Sequence, residues 1–180
     1  MSTTTVARPK ASATEPAWLT RARAEIGTHE TKGAKDNPRI LAYRKSARCS
    51  WVAGSEEAVA WCAIFVNAML KDAGLKGTAS PAAKSFCSSR DFVQLRQPTL
   101  GAITVIERNP PHPSLGHVSI LVGSDAQFVW LLGGNQGDAV NVSKFARSRV
   151  KGFYWPASVP LPAIGDVTYA GQAAVGGAVV

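Results

Sequence analysis

The chain has 180 residues, of which 46% are hydrophobic, three cysteines and a formal net charge of +8. This length and composition suit one globular domain with a real core and exclude a chain that is disordered throughout. Three cysteines without CxxC spacing argue against a zinc site or a dense disulfide framework, and no stretch reaches the roughly 18 apolar residues that a membrane span needs.

The positive charge is concentrated at the beginning of the chain. Residues 1–50 contain ten Lys or Arg against four acidic residues, which accounts for six of the eight net positive charges. A basic surface favours an anionic partner, such as nucleic acid, a membrane surface or an acidic cell-wall polymer. Because no basic or aromatic pattern of a nucleic-acid-binding module is present, we expect no nucleic-acid partner.

The chain opens with a predicted flexible polar leader, residues 1–15, and a helical half follows it. Pro16 suits the first helical position, "AWLTRARAEIG" continues the first helix, and Gly27 ends it. A second helix fits "NPRILAYRKSA", with Asn37 as its N-cap.

The longest predicted helix runs from about Glu56 to Ala73 and stops at Gly74, with apolar residues recurring at helical spacing. A shorter helix fits "SPAAKSFC", with Ser80 as cap and Pro81 as first residue. The helical half therefore ends near residue 90.

After Pro98 the sequence changes to short branched or aromatic runs separated by Gly, Asp and Asn, which is typical of strands. The runs are "GAITVIE", "GHVSILVG", "QFVWLLG", "AVNVS" and "VKGFYWP". Helices followed by strands predict an α+β fold, in which the helical half packs on an antiparallel sheet of about five or six strands. We expect one domain over residues 16–156 and a small-residue tail over residues 157–180.

Cys62 is the candidate nucleophile, and its chemistry requires a base. His117 alone among the three histidines stands on a rigid element, at the start of the strand "GHVSILVG". The turn signal "GSDAQ" centres the next hairpin on residue 126, and this register places Asn135 opposite His117. An amide oxygen that accepts the ring N–H would fix the histidine tautomer and leave the other nitrogen for a thiol.

The beginning of a helix favours thiolate over thiol through its free N–H groups and its dipole, so we expect Cys62 to be charged near neutral pH. The backbone N–H of Cys62 is a candidate oxyanion donor. The alternative is a buried thiol that serves only packing. Glu56 and Glu57 are expected to contact the first helical turn or substrate. Cys49 and Cys87 are weaker nucleophile candidates that are able to pair in an oxidising compartment.

The motifs "AWCAIFVNAML", "GAITVIER", "GHVSILVG" and "LLGGNQGDAVNVSKF" together resemble the CHAP and NlpC/P60 group of cell-wall hydrolases, and are most similar to a branch common in bacteriophage genomes. The resemblance covers about residues 16–156 and implies a papain-like fold. It also implies a peptidoglycan hydrolase that cleaves an amide bond, as an N-acetylmuramoyl-L-alanine amidase or a peptide-stem endopeptidase.

In that resemblance Cys62 is the nucleophile, His117 the general base and Asn135 the polar third member. Gln136 is the alternative orienting amide and is otherwise expected to bind substrate. Further residues are expected to line the substrate groove, with a core or packing role as the alternative: Trp61, Ser119, Tyr43 and Asn37. No cofactor is required, and the stretch "CSWVAGSEEAVA" has too few hard oxygen ligands for calcium, so we predict no metal.

The leader lacks the apolar run of a signal peptide, so we expect synthesis in the host cytoplasm, no stable membrane insertion, and action on the wall after release or delivery. We expect a monomer whose partner is bacterial peptidoglycan. Two alternatives remain: a catalytically idle wall-binding or virion structural module, and a secreted antibacterial effector with an immunity partner.

Overall fold

The computed structural model describes residues 15–33, 35–108, 110–162 and 167. Four helices precede or flank the first strand: α1 (Ala17–Ala24), α2 (Pro38–Ser46), α3 (Cys62–Asp72) and α4 (Ser85–Ser88). Six strands form one antiparallel sheet: β1 (Phe92–Leu95), β2 (Ile103–Glu107), β3 (Gly116–Ser124), β4 (Phe128–Gly133), β5 (Asn141–Ala146) and β6 (Val150–Pro156). Their order across the sheet is β1-β6-β2-β3-β4-β5, which confirms the α+β class.

The predicted helices exist, but two of them begin later than expected. Asn37 caps α2 by accepting a 2.8 Å hydrogen bond from the backbone N–H of Arg39, as predicted. The helix predicted from about Glu56 begins only at Cys62, because the Glu56 carboxylate instead accepts the backbone N–H groups of Thr31 and Asn37. These bonds hold the preceding segment as a loop. Likewise, the helix predicted from Pro81 is only the single turn α4.

All five predicted strands are present, and β1 is an additional strand that the sequence analysis did not assign. It is short, it pairs only with β6 at the edge of the sheet, and it lies before Pro98, where we expected helix and loop. Edge strands need only one partner and carry a weak hydrophobic pattern, which explains why it was missed.

The sheet has two apolar faces. Val118, Ile120 and Val122 of β3 join the large core beneath the helices, where α3 crosses β3 and is flanked by α1 and α2. Leu121 belongs to a second cluster with Phe145 and others on the opposite face. Because successive side chains of a strand alternate between faces, His117 and Ser119 lie on the face of this second cluster.

The hairpin register is confirmed where the two strands pair. Ile120 opposes Leu132 and Leu121 opposes Leu131, as a turn centred on residue 126 requires. Nearer the turn the register shifts at a bulge beside Val122. The side chain of Asp125 accepts the backbone N–H groups of Gln127 and Phe128, which closes the turn.

Most of the predicted leader and tail lies outside the described residues. Glu15, at the end of the predicted leader, forms a 2.8 Å ion pair with Arg23 of α1. Val167, in the predicted tail, accepts a hydrogen bond from the backbone N–H of Ser124 and packs on the second cluster. Within the described ranges, every helix is too short or too polar to span a bilayer.

Candidate active site

Cys62 is the first residue of α3, and Trp61 is its N-cap. The Trp61 side chain supplies no capping hydrogen bond, so the first N–H groups of the helix are left without that partner. The backbone N–H groups of Cys62 and Ala63, and that of Val118 on β3, lie near the Cys62 sulfur and lower its pKa. The thiol thus lies between the beginning of α3 and the beginning of β3.

The sulfur is deeply placed, since Cys62 is only 5% exposed. Burial raises the pKa of the Cys62 thiol, and the backbone N–H groups of Val118, Ala63 and Cys62 oppose that rise without overcoming it. The expectation of a thiolate near neutral pH is therefore not met in this structure. At the start of α3 the loss of solvation outweighs the helix dipole, and the resting sulfur is a thiol.

His117 is fully buried near the start of β3. Its Nε2 lies 2.9 Å from Oε1 of Gln136 and 2.7 Å from Oγ of Ser119, and its ring packs against Phe145 with centroids 5.8 Å apart. Its Nδ1 has no hydrogen-bond partner among the described residues. One ring nitrogen is thus held by polar side chains, and the other, Nδ1, is buried without a partner among the described residues.

Burial lowers the pKa of His117 to about 4, because a buried imidazolium loses its hydration. The hydrogen bond to Gln136 opposes this effect, and the positive charges of Arg149 and Arg108 add to it. The imidazole is consequently neutral at pH 7. A neutral imidazole is the protonation state that a general base requires.

The orienting amide on His117 is that of Gln136, not that of Asn135. β4 ends at Gly133, so the pairing that would place Asn135 across from His117 stops before reaching it. Asn135 instead occupies the turn with a φ of 58°, a left-handed conformation that asparagine tolerates. The turn advances the chain by one residue and brings Gln136 to the ring. Gln136, the alternative residue, therefore occupies the position beside His117 that was predicted for Asn135.

The two glycines before this turn allow the close packing around it. A Cβ at Gly133 would lie 2.2 Å from Oγ of Ser119, and a Cβ at Gly134 would lie 2.4 Å from the Trp61 ring. Gly133 therefore makes room for the polar contacts of His117, and Gly134 lets the turn approach the N-cap of α3. The pair "GG" brings the histidine partner and the cysteine helix together.

The structure brings Cys62 and His117 to the same point of β3 but does not join them directly. The sulfur contacts the backbone N–H of Val118, the residue after His117, whereas the imidazole lies on the opposite face of the strand. No hydrogen bond between the thiol and the ring is present in the part of the chain that the structure describes. Proton transfer between them therefore requires the thiol and the imidazole to move into contact.

The four residues expected to line the groove have structural contacts instead. Trp61 and Tyr43 are buried and stacked with ring centroids 6.2 Å apart, while Trp61 Nε1 donates to Glu30 and the Tyr43 hydroxyl donates to Glu25. Asn37 uses both ends of its amide, accepting from Arg39 and donating to the backbone oxygen of His29. Because Trp61 and Tyr43 are buried, neither offers a groove wall, whereas Asn37 is partly exposed and its place in the groove stays a prediction.

Ser119 is also fully buried, against the polar edge of His117 rather than facing a groove. Ser119 follows His117 by two residues on the same strand, and such residues share a face. This spacing could have predicted the contact between the two side chains.

The other two cysteines are unpaired in the structure, with Cys49 buried and Cys87 exposed. Glu56 is also buried, and its carboxylate bonds to the loop before α2 rather than to the first turn of α3. Over the described ranges, no group of three or more His, Cys, Asp or Glu side chains is placed to hold a metal ion.

No family model matches the chain, and no match was found among the curated proteins or the solved structures.

Proposed function

We propose that the protein is a cysteine-dependent hydrolase that cleaves an amide bond in bacterial peptidoglycan. One observation carries the proposal: a buried imidazole is held at Nε2 by Gln136 and is free at Nδ1, and the residue after it contacts the Cys62 sulfur. A cysteine at the start of a helix with an oriented histidine beside it is the arrangement of papain-like hydrolases.

The reaction begins from the neutral pair. Nδ1 of His117 takes the thiol proton as the Cys62 sulfur attacks the amide carbon, and the new oxyanion accepts hydrogen bonds from backbone N–H groups at the start of α3. The imidazolium then gives its proton to the leaving amine, which leaves a thioester on Cys62. Finally, His117 takes a proton from water, whose oxygen attacks the thioester and releases a carboxylic acid and the thiol.

The choice of substrate rests on the resemblance of the motifs around Cys62, His117 and Gln136 to cell-wall hydrolases, and on charge. A net charge of +8 attracts the anionic polymers of a bacterial wall through long-range electrostatics. The amidase and endopeptidase alternatives share this chemistry and differ in the position of the scissile amide. We propose action as a phage-type lysin, on the wall after release or delivery.

A catalytically idle wall-binding or virion module is the second candidate function. The observation that favours it is the near-complete burial of both Cys62 and His117, without a hydrogen bond between them. A substrate amide reaches the Cys62 sulfur only if the loop before α3 moves away from it. The two candidates therefore differ in a measurable property, which is turnover.

The deciding experiment is digestion of purified peptidoglycan by the full chain, followed by mass spectrometry of the released fragments. We expect wild type to generate one new class of amino terminus, and Cys62→Ala to generate none while it remains folded. Cys87→Ala is the matched control, because that cysteine is exposed and lies outside the site. Equal release by wild type and Cys62→Ala, or no release by either, would refute the proposed chemistry.

A further inference from the structure

The polar side chains behind His117 form a connected network. The amide nitrogen of Gln136 donates to the backbone oxygen of Leu131 at 3.2 Å and to that of Asn141 at 2.8 Å. It also lies 3.0 Å from Oδ1 of Asn141, whose own amide nitrogen donates to the backbone oxygen of Gln136 at 2.6 Å. Gln136 and Asn141 are thus joined through both side chains and backbone.

This network permits one orientation of the Gln136 amide. Backbone carbonyl groups only accept hydrogen bonds, so the amide nitrogen must face Leu131 and Asn141. The amide oxygen is then the atom that faces His117. The hydroxyl of Ser143 donates to Oδ1 of Asn141 at 2.7 Å, which fixes the orientation of that second amide in the same way.

An oxygen at this position selects one tautomer of His117. Oε1 of Gln136 only accepts, so the ring must carry its proton on Nε2 to form the 2.9 Å hydrogen bond. The Ser119 hydroxyl reinforces the choice, because its proton is donated to Oε1 of Gln136 at 2.9 Å and its oxygen is left to accept from Nε2. In the opposite tautomer, unprotonated Nε2 would face Oε1 of Gln136, so two acceptors would repel each other. The Nδ1–H would also be buried without a partner.

We propose that Ser119 and Asn141 are positioning residues that hold His117 in its Nε2-protonated tautomer, with Nδ1 available as the base. Asn141 acts through Gln136 by fixing the amide orientation, and Ser119 acts at the ring by supplying a second oxygen to Nε2–H. The inference rests on the proposed function only for the role of Nδ1 as the general base. The tautomer itself is a property of the protein without substrate.

The geometry of β4 supports a dedicated place for the Ser119 hydroxyl. Ser119 is fully buried, and a Cβ at Gly133 would approach its Oγ to 2.2 Å and Oε1 of Gln136 to 2.9 Å. A residue larger than glycine at position 133 would therefore push both oxygens away from the ring. The hydroxyl, the amide and the glycine together make a close-packed polar cluster on this face of the sheet.

The test is nitrogen NMR of the imidazole rings in the full-length protein at pH 7, where His117 is neutral. The signals of His117 are assigned by their loss in His117→Gln. We expect wild type to show one Nε2-protonated tautomer, and Ser119→Ala and Asn141→Ala each to show a mixture of tautomers. Ser124→Ala, at the far end of β3, is the matched control and should keep the single tautomer.

A second readout links the tautomer to turnover. We expect each positioning variant to lower kcat on the order of tenfold with little change in KM, since the losses act on the base rather than on substrate binding. Ser119→Thr keeps the hydroxyl, so it should show the single tautomer that Ser119→Ala loses. A purely structural role for Ser119 would not predict this difference.

An Nδ1-protonated ring in wild type, or an unchanged single tautomer in both folded variants, would overturn the inference. If wild type lacks peptidoglycan turnover but shows the tautomer shifts, the proposed function fails and the positioning network stands. If Ser119→Ala does not fold, Asn141→Ala carries the test, and Asn141→Asp, which keeps an acceptor for the amide nitrogen of Gln136 and for Ser143, should keep the single tautomer.

Discussion

His117 and Gln136 are joined by a buried hydrogen bond of 2.9 Å between Nε2 and Oε1. The bond crosses from the start of one strand to the turn after the next, and it leaves Nδ1 of the ring without a partner in the described chain. This hydrogen bond therefore fixes the orientation of the imidazole ring. Its consequences for activity, stability and thiol chemistry are measurable separately.

Replacing Gln136 should harm turnover far more than replacing its neighbour. We expect Gln136→Ala to lower kcat on the order of tenfold or more, because the ring loses the acceptor that fixes its tautomer. Asn135→Gly is the matched control, since glycine adopts the φ of 58° at that position without strain. Steady-state digestion of purified peptidoglycan compares the two, and an equal loss in both would show that the turn itself, not the amide, matters.

The buried imidazole should make stability depend on pH between about 4 and 6.5. Its pKa is about 4 when folded and 6.5 in an unfolded chain, so the unfolded state binds more protons across this window. The contribution is fully present above pH 6.5, and about 3 kcal/mol of it is lost as the pH falls to 4.

Urea unfolding of wild type and His117→Gln at several pH values measures this effect. The two proteins share all other titrating groups, so the difference between their free energies of unfolding isolates His117. We expect that difference to change through the window and to level off above it. A difference that is constant from pH 4 to 7 would show that His117 is not buried in neutral form.

The three thiols should react in an order set by burial. We expect iodoacetamide to modify the exposed Cys87 first at pH 7, and the buried Cys49 and Cys62 much later. Burial raises the pKa of both buried thiols, so the rate of their modification should rise only above the pH range in which cysteine thiols usually ionise.

Peptide mass mapping after timed alkylation follows each thiol separately. Cys62→Ala is the control that assigns its peptide. If Cys62 instead reacts fastest at neutral pH, a thiolate–imidazolium pair already exists in the resting protein, and the neutral starting state in the proposed mechanism is wrong.

A methyl group at Gly134 should destabilise the protein. The new Cβ would lie 2.4 Å from the Trp61 ring and 2.8 Å from Cβ of Phe65, so α3 and the turn must separate. Overpacking of this kind costs about 1–3 kcal/mol, which thermal unfolding of Gly134→Ala measures. Adding Trp61→Leu removes the ring, so the double variant should lose less than the two single changes together; additive losses would locate the strain elsewhere.

Glu56 should matter for stability and Glu57 should not. The buried Glu56 carboxylate accepts the backbone N–H groups of Thr31 and Asn37, and Glu56→Ala leaves both without that acceptor at a cost of about 2 kcal/mol or more. Glu57 is exposed, so Glu57→Ala should stay within about 0.5 kcal/mol of wild type. Denaturant unfolding compares them, and a similar small loss in both would contradict the role given to Glu56.

Local patterns in the sequence determined the element types and one strand register. The Asn37 cap, the glycines at the ends of helices and the alternating runs after Pro98 each depend on neighbours a few residues away, and the structure confirms these elements. The turn at "GSDAQ" was enough to place Ile120 opposite Leu132, because a hairpin register follows from its turn.

Tertiary contacts decided the features that the sequence analysis predicted wrongly. Glu56 has a helix-forming side chain, but bonds to residues 25 and 19 positions earlier hold it outside α3, so the helix begins at Cys62. Asn135 and Gln136 both carry an amide and are adjacent. The left-handed turn at Asn135 brings Gln136 to the ring, and Gly133 and Gly134 leave the space that Ser119 and Trp61 need beside the turn.

The sequence by itself determined the α+β class, the order of the elements other than β1, and the placing of His117 at the start of a strand, since these follow from short-range patterns. Only the tertiary structure decided which amide meets the imidazole, how deeply the thiol is buried and which groups remain charged. Those properties depend on distances between residues remote in sequence and on the water that their packing excludes, and neither is encoded in local spacing.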